Sequence, residues 1–119
     1  MIPRHHPNPS DLLPLKPLAY LALLVLVDGP LHGYALVKAI ARRTDDVVRP
    51  GPASIHRTLR ELREAELIEP SPERPSPALD DARRLYFRIT AFGRAVMRAE
   101  TDRLQALVTE ARETLGHVG

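Results

Sequence analysis

From Leu18 to Val27 every position is apolar or aromatic, and beyond that run the apolar residues thin into spaced stripes. The unbroken run predicts a buried helix, opened by Pro17 at a position where a missing N–H costs nothing and stopped by Asp28-Gly29-Pro30. Apolar on all sides, this helix needs more than one flat contact to cover it. From Gly33 to Arg43, Tyr34, Leu36, Val37 and Ile40 share one side while Lys38, Arg42 and Arg43 share the other, which predicts a second helix. Thr44 to Gly51 is a connector, with Val47-Val48 expected as a strand stub. Gly51 as N-cap and Pro52 behind it start a third helix, running to about Ala65. Its Ile55, Leu59 and Leu62 recur at i, i+4 and i+7, one clear apolar face.

Leu67-Ile68-Glu69 and Leu85-Tyr86-Phe87-Arg88-Ile89 have the character of two strands. Pro70 to Arg84, rich in Pro, Ser and charge, makes them a hairpin with a long tip. Thr90 is a good N-cap for a final helix reaching about Leu115. Met97, Leu104 and Ala111, with Leu107, Val108 and Leu115, form a stripe along it. A helix of about 25 residues, at ~1.5 Å rise each, outruns so small a domain, so its end projects and its stripe asks for a partner. Residues 1–16 carry Pro3, Pro7, Pro9 and Pro14, which forbid a regular helix and favour a flexible extended arm. The organisation expected is that arm, one domain over 17–90 and a projecting C-terminal helix over 91–119.

Composition narrows the class without deciding it. At 119 residues the chain suits one domain, and with 4% aromatics and no Trp its core must be Leu, Val, Ile and Ala. The ten-residue run from Leu18 falls well short of the roughly 20 residues that span a bilayer, and it lacks the cleavage pattern of a signal peptide. The absence of Cys removes disulfides and thiolate metal sites, and fits a cytoplasmic protein. A net charge of +2 says little about nucleic acid. Fifteen of the seventeen basic residues are Arg, the side chain suited to bidentate phosphate and base contacts, although GC-rich coding gives the same bias.

Three helices followed by strand, long hairpin and strand is the order of a winged helix. The fold class expected is therefore mainly α with a small β-hairpin: a winged helix-turn-helix plus a long C-terminal helix. Its third helix enters the major groove and the hairpin lies along the DNA backbone. At roughly 100° per residue, the face opposite Ile55 and Leu62 carries Ala53, Arg57, Arg60 and Glu64, with His56 and Arg63 on one flank. Small residues at the start of the helix, with Pro52 and Ser54, allow close approach to phosphate at its positive end. A solvated helix with Arg57–Glu61 and Arg60–Glu64 pairs explains the same charges. Arg83 and Arg84, where the hairpin returns, are candidate phosphate clamps.

These residues also carry a family resemblance. Leu31-His32-Gly33-Tyr34 resembles the His-Gly-Tyr opening of the second helix in PadR-type transcriptional regulators of the short kind with a single C-terminal helix. Gly51-Pro52-Ala53-Ser54-Ile55-His56 resembles the family's Gly-Pro-Gly-Thr-Leu-Tyr start of the recognition helix. Leu67-Ile68-Glu69 matches its entry to the wing, and Leu85-Tyr86-Phe87-Arg88-Ile89-Thr90 with Gly93-Arg94 its return strand and helix start. The resemblance implies a dimeric DNA-binding regulator, expected to be a repressor of a pseudo-palindromic operator and released by a small ligand. Ala53, Ser54 and His56 depart from the motif, so its DNA contacts do not transfer directly. Glu66 stands where the family has Gly, and a left-handed position costs a non-glycine residue ~1 kcal/mol, so a different helix end is expected there.

The candidate DNA-binding set is Pro52, Ser54, His56, Arg57, Arg60, Arg83 and Arg84. The candidate dimer set is Leu18, Leu21 and Leu24 of one copy against Leu104, Leu107, Val108 and Ala111 of the other. His32 belongs to a structural turn in the resembled family and is expected to cap or pack. His5, His6 and His117 sit in tails without fixed metal geometry, and Asp45-Asp46 and Asp80-Asp81 lie in loops without a positioned partner. Phosphate loops, dinucleotide fingerprints and nucleophile motifs are missing, so neither catalysis nor a cofactor is expected. The rival reading from another class is a winged helix used only as a protein-interaction or dimerisation module.

Overall fold

The computed structural model describes residues 6–73 and 84–118 of the chain. Helix α1 (Pro17–Leu26) opens at its proline and buries Ala22, Leu23, Val25 and Leu26. A two-residue strand, β1 (Leu31–His32), leads into α2 (Gly33–Arg43), whose Leu36, Ile40 and Ala41 face the core. Helix α3 (Pro52–Glu64) adds Ile55, Leu59 and Leu62. Strands β2 (Ile68–Pro70) and β3 (Tyr86–Ile89) form the base of the hairpin, and α4 (Ala91–Val118) follows. Leu23, Leu26, Leu36, Ile40 and Val96 are the most deeply buried aliphatic side chains, each worth about 1.5–3 kcal/mol in transfer from water. Among the described residues, no helix is long and apolar enough to cross a membrane.

Helices and strands stand in the expected winged-helix order, with one addition. β3 is the central strand of an antiparallel sheet ordered β1-β3-β2. Leu31 faces Phe87 and His32 faces Tyr86 on one side, while Ile68 faces Ile89 and Glu69 faces Arg88 on the other. β1 escapes a pattern-based reading because two residues are too few to show an alternation.

Three local expectations need correction. The segment expected as an extended arm forms a 3-10 turn at Pro9–Leu12, and Leu12, Leu13 and Leu15 pack against the core. Prolines exclude a long helix but tolerate one turn, and the leucines between them supply apolar area worth burying. Val47 lies in a turn and is 84% exposed rather than part of a strand. Asp45 and Asp46 take positive φ (50° and 63°), and the Thr44 hydroxyl accepts from the Val48 N–H at 3.1 Å, so this stretch closes α2 as a tight turn. Third, the end of α3 keeps the left-handed residue that its sequence argues against: Glu66 has φ 63°.

The α3 end explains how that strain is held. Leu67 N–H donates to Leu62 O at 2.9 Å and Glu66 N–H to Arg63 O at 2.9 Å, the paired bonds of a Schellman cap. Thr90 locks the cap to the next helix: its hydroxyl donates to Glu66 O at 2.7 Å and accepts from Gly93 N–H at 2.9 Å. Gly93 is required there, since a Cβ would collide with the Leu67 carbonyl. The end of α3 and the start of α4 are thus one joint.

α4 changes character along its length. Val96, Met97 and Glu100 are buried, whereas Leu107 (49%), Val108 (43%) and Leu115 (71%) are exposed. The Glu100 carboxylate is satisfied by the Leu15 N–H at 2.9 Å and by Arg103. Arg103 holds the Glu100 carboxyl below its ordinary pKa, outweighing the opposing effect of burial, with the Leu15 N–H adding to the lowering.

Candidate nucleic-acid interface

The open face of α3 is built by the residues that begin it. Gly51 is the N-cap, and the Ile55 N–H donates to its carbonyl at 3.0 Å. Arg49 pairs with Asp46 at 2.7 Å in the turn just before. Pro52, Ala53 and Ser54 are all exposed, so the first-turn N–H groups and the positive end of the helix dipole face outward. His56, Arg57, Arg60, Arg63 and Glu64 continue that exposed face.

The charge pairing on this face separates two sequence-level readings. Among the described residues, neither Arg57–Glu61 nor Arg60–Glu64 forms a salt bridge; Glu61 instead meets Lys16, just ahead of α1, at 3.1 Å. That contact bridges 45 positions of sequence, and no local pattern announces it. With Glu61 turned towards α1, the guanidinium groups of Arg57, Arg60 and Arg63 leave α3 without an acidic partner among the described residues. Arg63 lies over the Phe87 ring at 5.9 Å.

The start of α2 brings further cations beside them. His32 caps the helix, its Nδ1 accepting from the Ala35 N–H at 3.2 Å, and its ring stacks on Tyr34 and meets Tyr86 edge-on. Arg84 Nη1 lies 3.1 Å from His32 Nε2, with its guanidinium 5.8 Å above the Tyr34 ring. Since a neutral ring whose Nδ1 accepts must carry its proton on Nε2, the Arg84 approach there is a close contact rather than a second hydrogen bond. Lys38 Nζ stands 4.7 Å from the same tyrosine ring. Tyr34 was expected on the buried side of α2, but it is 60% exposed and serves as a platform for Lys38 and Arg84. Its position in the first turn, two residues after the cap, is the signal that its outward direction leaves in the sequence.

The candidate residues divide accordingly. Pro52, Ser54, His56, Arg57 and Arg60 share one exposed surface of α3, and Arg84 stands across the groove between α3 and β3. Arg83 lies outside the described residues. Arg88 is paired with Glu69 at 2.8 Å on the hairpin. Of the dimer candidates, Leu18, Leu21 and Leu24 are half-buried and already pack against their own core, and Tyr20 bonds Thr101 of α4 at 2.7 Å. Leu104 is half-buried, while Leu107, Val108 and Ala111 are open. His6 stacks on Phe92 and pairs with Glu66 at 3.1 Å. Among the described residues, no group of three or more His, Asp or Glu side chains is arranged to hold a metal ion.

Residues 22–99 match the transcriptional regulator PadR-like family, well over half of the chain. The chain belongs to that family. A transcriptional regulator from Clostridium thermocellum superposes with a TM-score of 0.68 at 19% identity, covering 81% of this PadR-like chain and 87% of that one. A putative transcriptional regulator from Thermoplasma acidophilum gives 0.61 at 22% identity, covering 83% and 90%. The adhesin competence repressor of Streptococcus pyogenes gives 0.58 at 16% identity, covering 91% and 71%. These likenesses establish the winged-helix fold. In sequence, the chain is 33% identical over 87 residues to an uncharacterised 37.1 kDa protein in transposon Tn4556 of Streptomyces fradiae, a match taking in 73% of this chain. The PadR-like chain spans 23% of that relative's length.

Proposed function

We propose that this PadR-like regulator is a sequence-specific DNA-binding repressor, that it occupies a pseudo-palindromic operator as a homodimer, and that a small ligand releases it. The observation that carries the reading is an arginine face of α3 with no acidic partners among the described residues, beside an exposed helix N-terminus. Cations without acidic partners among the described residues, at an open helix start, suit phosphates and base edges, which supply acceptors. In this arrangement Pro52 and Ser54 let the backbone approach phosphate, Arg57 and Arg60 read base edges, and His56 touches the groove wall. Arg84, with Arg83, reaches the DNA backbone from the wing.

A second copy supplies the two-fold symmetry that a palindrome needs. Leu104, Leu107, Val108 and Ala111 form its contact, with the remaining open surface of Leu18, Leu21 and Leu24. The protein works in the cytoplasm, without catalysis or a cofactor. A gel shift on duplex from upstream of its own gene, beside a random duplex of equal length, tests the reading. The upstream duplex should be retained at protein concentrations where the random one is not. Failure to retain either duplex at low salt would leave a protein-interaction module in its place.

A further inference from the structure

We infer that Lys16 is a positioning residue for DNA binding: by holding Glu61 it keeps that carboxylate off Arg57, and so leaves Arg57 open to the duplex. This deepens the DNA-binding reading and rests on it. Arg57 and Glu61 stand one turn apart on α3, the spacing at which a cation and an acid on a helix ordinarily meet. With the cation nearer the helix N-terminus the pair has its weaker orientation, so a third charge can tip it. The Lys16 ammonium is that charge, its Nζ 3.1 Å from Glu61 Oε2.

An exposed ion pair is ordinarily worth little, because two long side chains must be held still to make it. Here the backbone of the lysine is held on both sides. Just before it, the Leu15 N–H donates to the Glu100 carboxylate at 2.9 Å, and Glu100 is 1% exposed in α4. Just after it, Pro17 opens α1, and the Lys16 carbonyl accepts from the Tyr20 N–H at 3.0 Å. Lys16 is thus the N-cap of α1, and only its side chain remains to be ordered by Glu61. Leu15 and Lys16 both precede residues 22–99, so this contact is set from outside the stretch that matches the family.

Removing the lysine charge has two consequences. Glu61 becomes free to pair with Arg57 along the helix, and its own negative charge stands unneutralised beside a surface that phosphates approach. Breaking such an exposed pair costs about twofold in each half-site, so a dimer on its operator should lose about fourfold from the first consequence alone.

Fluorescence anisotropy on the full-length chain, with the duplex from upstream of its own gene, tests the role. Lys16→Ala should weaken binding at least about fourfold, while Lys16→Arg keeps wild-type affinity. Adding Glu61→Gln to Lys16→Ala should restore binding, because the acid that captured Arg57 is gone. The Lys16 side chain is 75% exposed, so its truncation leaves the core intact. Unchanged affinity in Lys16→Ala would overturn the role. A loss that persists in the double variant would also overturn it, and would assign Lys16 a phosphate contact of its own. A second measurement needs no DNA: the NMR signal of the Arg57 Nε–H group in the same variants. Lys16→Ala should order that group and Glu61→Gln should release it again; an Arg57 indifferent to Lys16 would refute the positioning, whatever the duplex does. A wild-type chain that retains no duplex but shows this ordering in Lys16→Ala would sink the DNA-binding reading and spare the exchange of Glu61 between Lys16 and Arg57.

Discussion

The outer face of α3 and the far half of α4 are both exposed helix surfaces, but they leave different chemistry unanswered. On α3 the exposed side chains include the cations Arg57, Arg60 and Arg63, which lack acidic partners among the described residues. On α4 they include Leu107, Val108 and Leu115 along one stripe. Water solvates a guanidinium well, so an unpaired arginine costs the folded chain little until a polyanion arrives. Exposed leucine stays in unfavourable contact with water and is relieved only by another apolar surface. Two surfaces of one small protein thus differ in the partner each suits, and the proposed function assigns a nucleic acid to the first and a second copy of the chain to the other. Between them lies the joint of Glu66, Thr90 and Gly93, which ties the end of α3 to the start of α4.

The largest effect should come from spoiling the apolar stripe. Replacing Leu107 and Val108 together by Glu should weaken self-association at least about 100-fold, since a two-fold contact loses four apolar side chains worth ~1.5–3 kcal/mol each and gains four buried charges. Light scattering at micromolar concentration should change from dimer to monomer mass. A wild-type chain that is already monomeric there would break the comparison at once.

Next in size is Glu100, where α4 leaves the core. Glu100→Gln removes the ion pair with Arg103 and weakens the bond from the Leu15 N–H, at an expected cost of about 1–3 kcal/mol. Because the folded carboxyl is held below its ordinary pKa, its contribution is present above the unfolded value of ~4.3 and is lost as pH falls through the lower folded value. A thermal melt should therefore show the variant's deficit at pH 7 and a shrinking gap in acid. A deficit that persists undiminished at pH 2 would assign the effect to packing instead.

The smallest effect sharpens the joint itself. Glu66→Gly relieves a left-handed non-glycine residue but gives up the contact with His6 and gains chain entropy in the unfolded state. A gain of up to about 1 kcal/mol is expected, with DNA affinity unchanged. Denaturant titration measures it; a loss of stability would show that the His6 contact outweighs the strain.

How far the sequence reached depends on the range of the interaction. Helices α1, α2 and α3 were legible because proline at a first position, glycine at a cap and a periodic apolar face are all local signals. Thr90 as the cap of α4 was legible for the same reason, whereas the expectation that His32 caps or packs came from the family resemblance. Glu100 was not, because a carboxylate on a mostly polar helix looks solvated until Leu15, 85 positions away, is brought to it. Lys16–Glu61 was hidden in the same way, although it is the contact that draws Glu61 away from Arg57. Val47-Val48 misled because β-branched residues suggest a strand, whereas Thr44, Asp45 and Asp46 had already committed the backbone to a turn.

The central claim is the proposal that the arginines of α3, which lack acidic partners among the described residues, meet DNA. Binding of the upstream duplex across a salt series, for wild type and for the Arg57→Ala/Arg60→Ala double variant, tests it most directly. The account predicts that base-reading arginines cost ~1–3 kcal/mol each when removed, that discrimination against random duplex shrinks, and that the mass of the dimer is unchanged. Any of these arginines that rests on phosphate instead should flatten the slope of log K against log salt by about 0.9 per contact. A double variant with wild-type affinity, discrimination and salt slope would contradict the account.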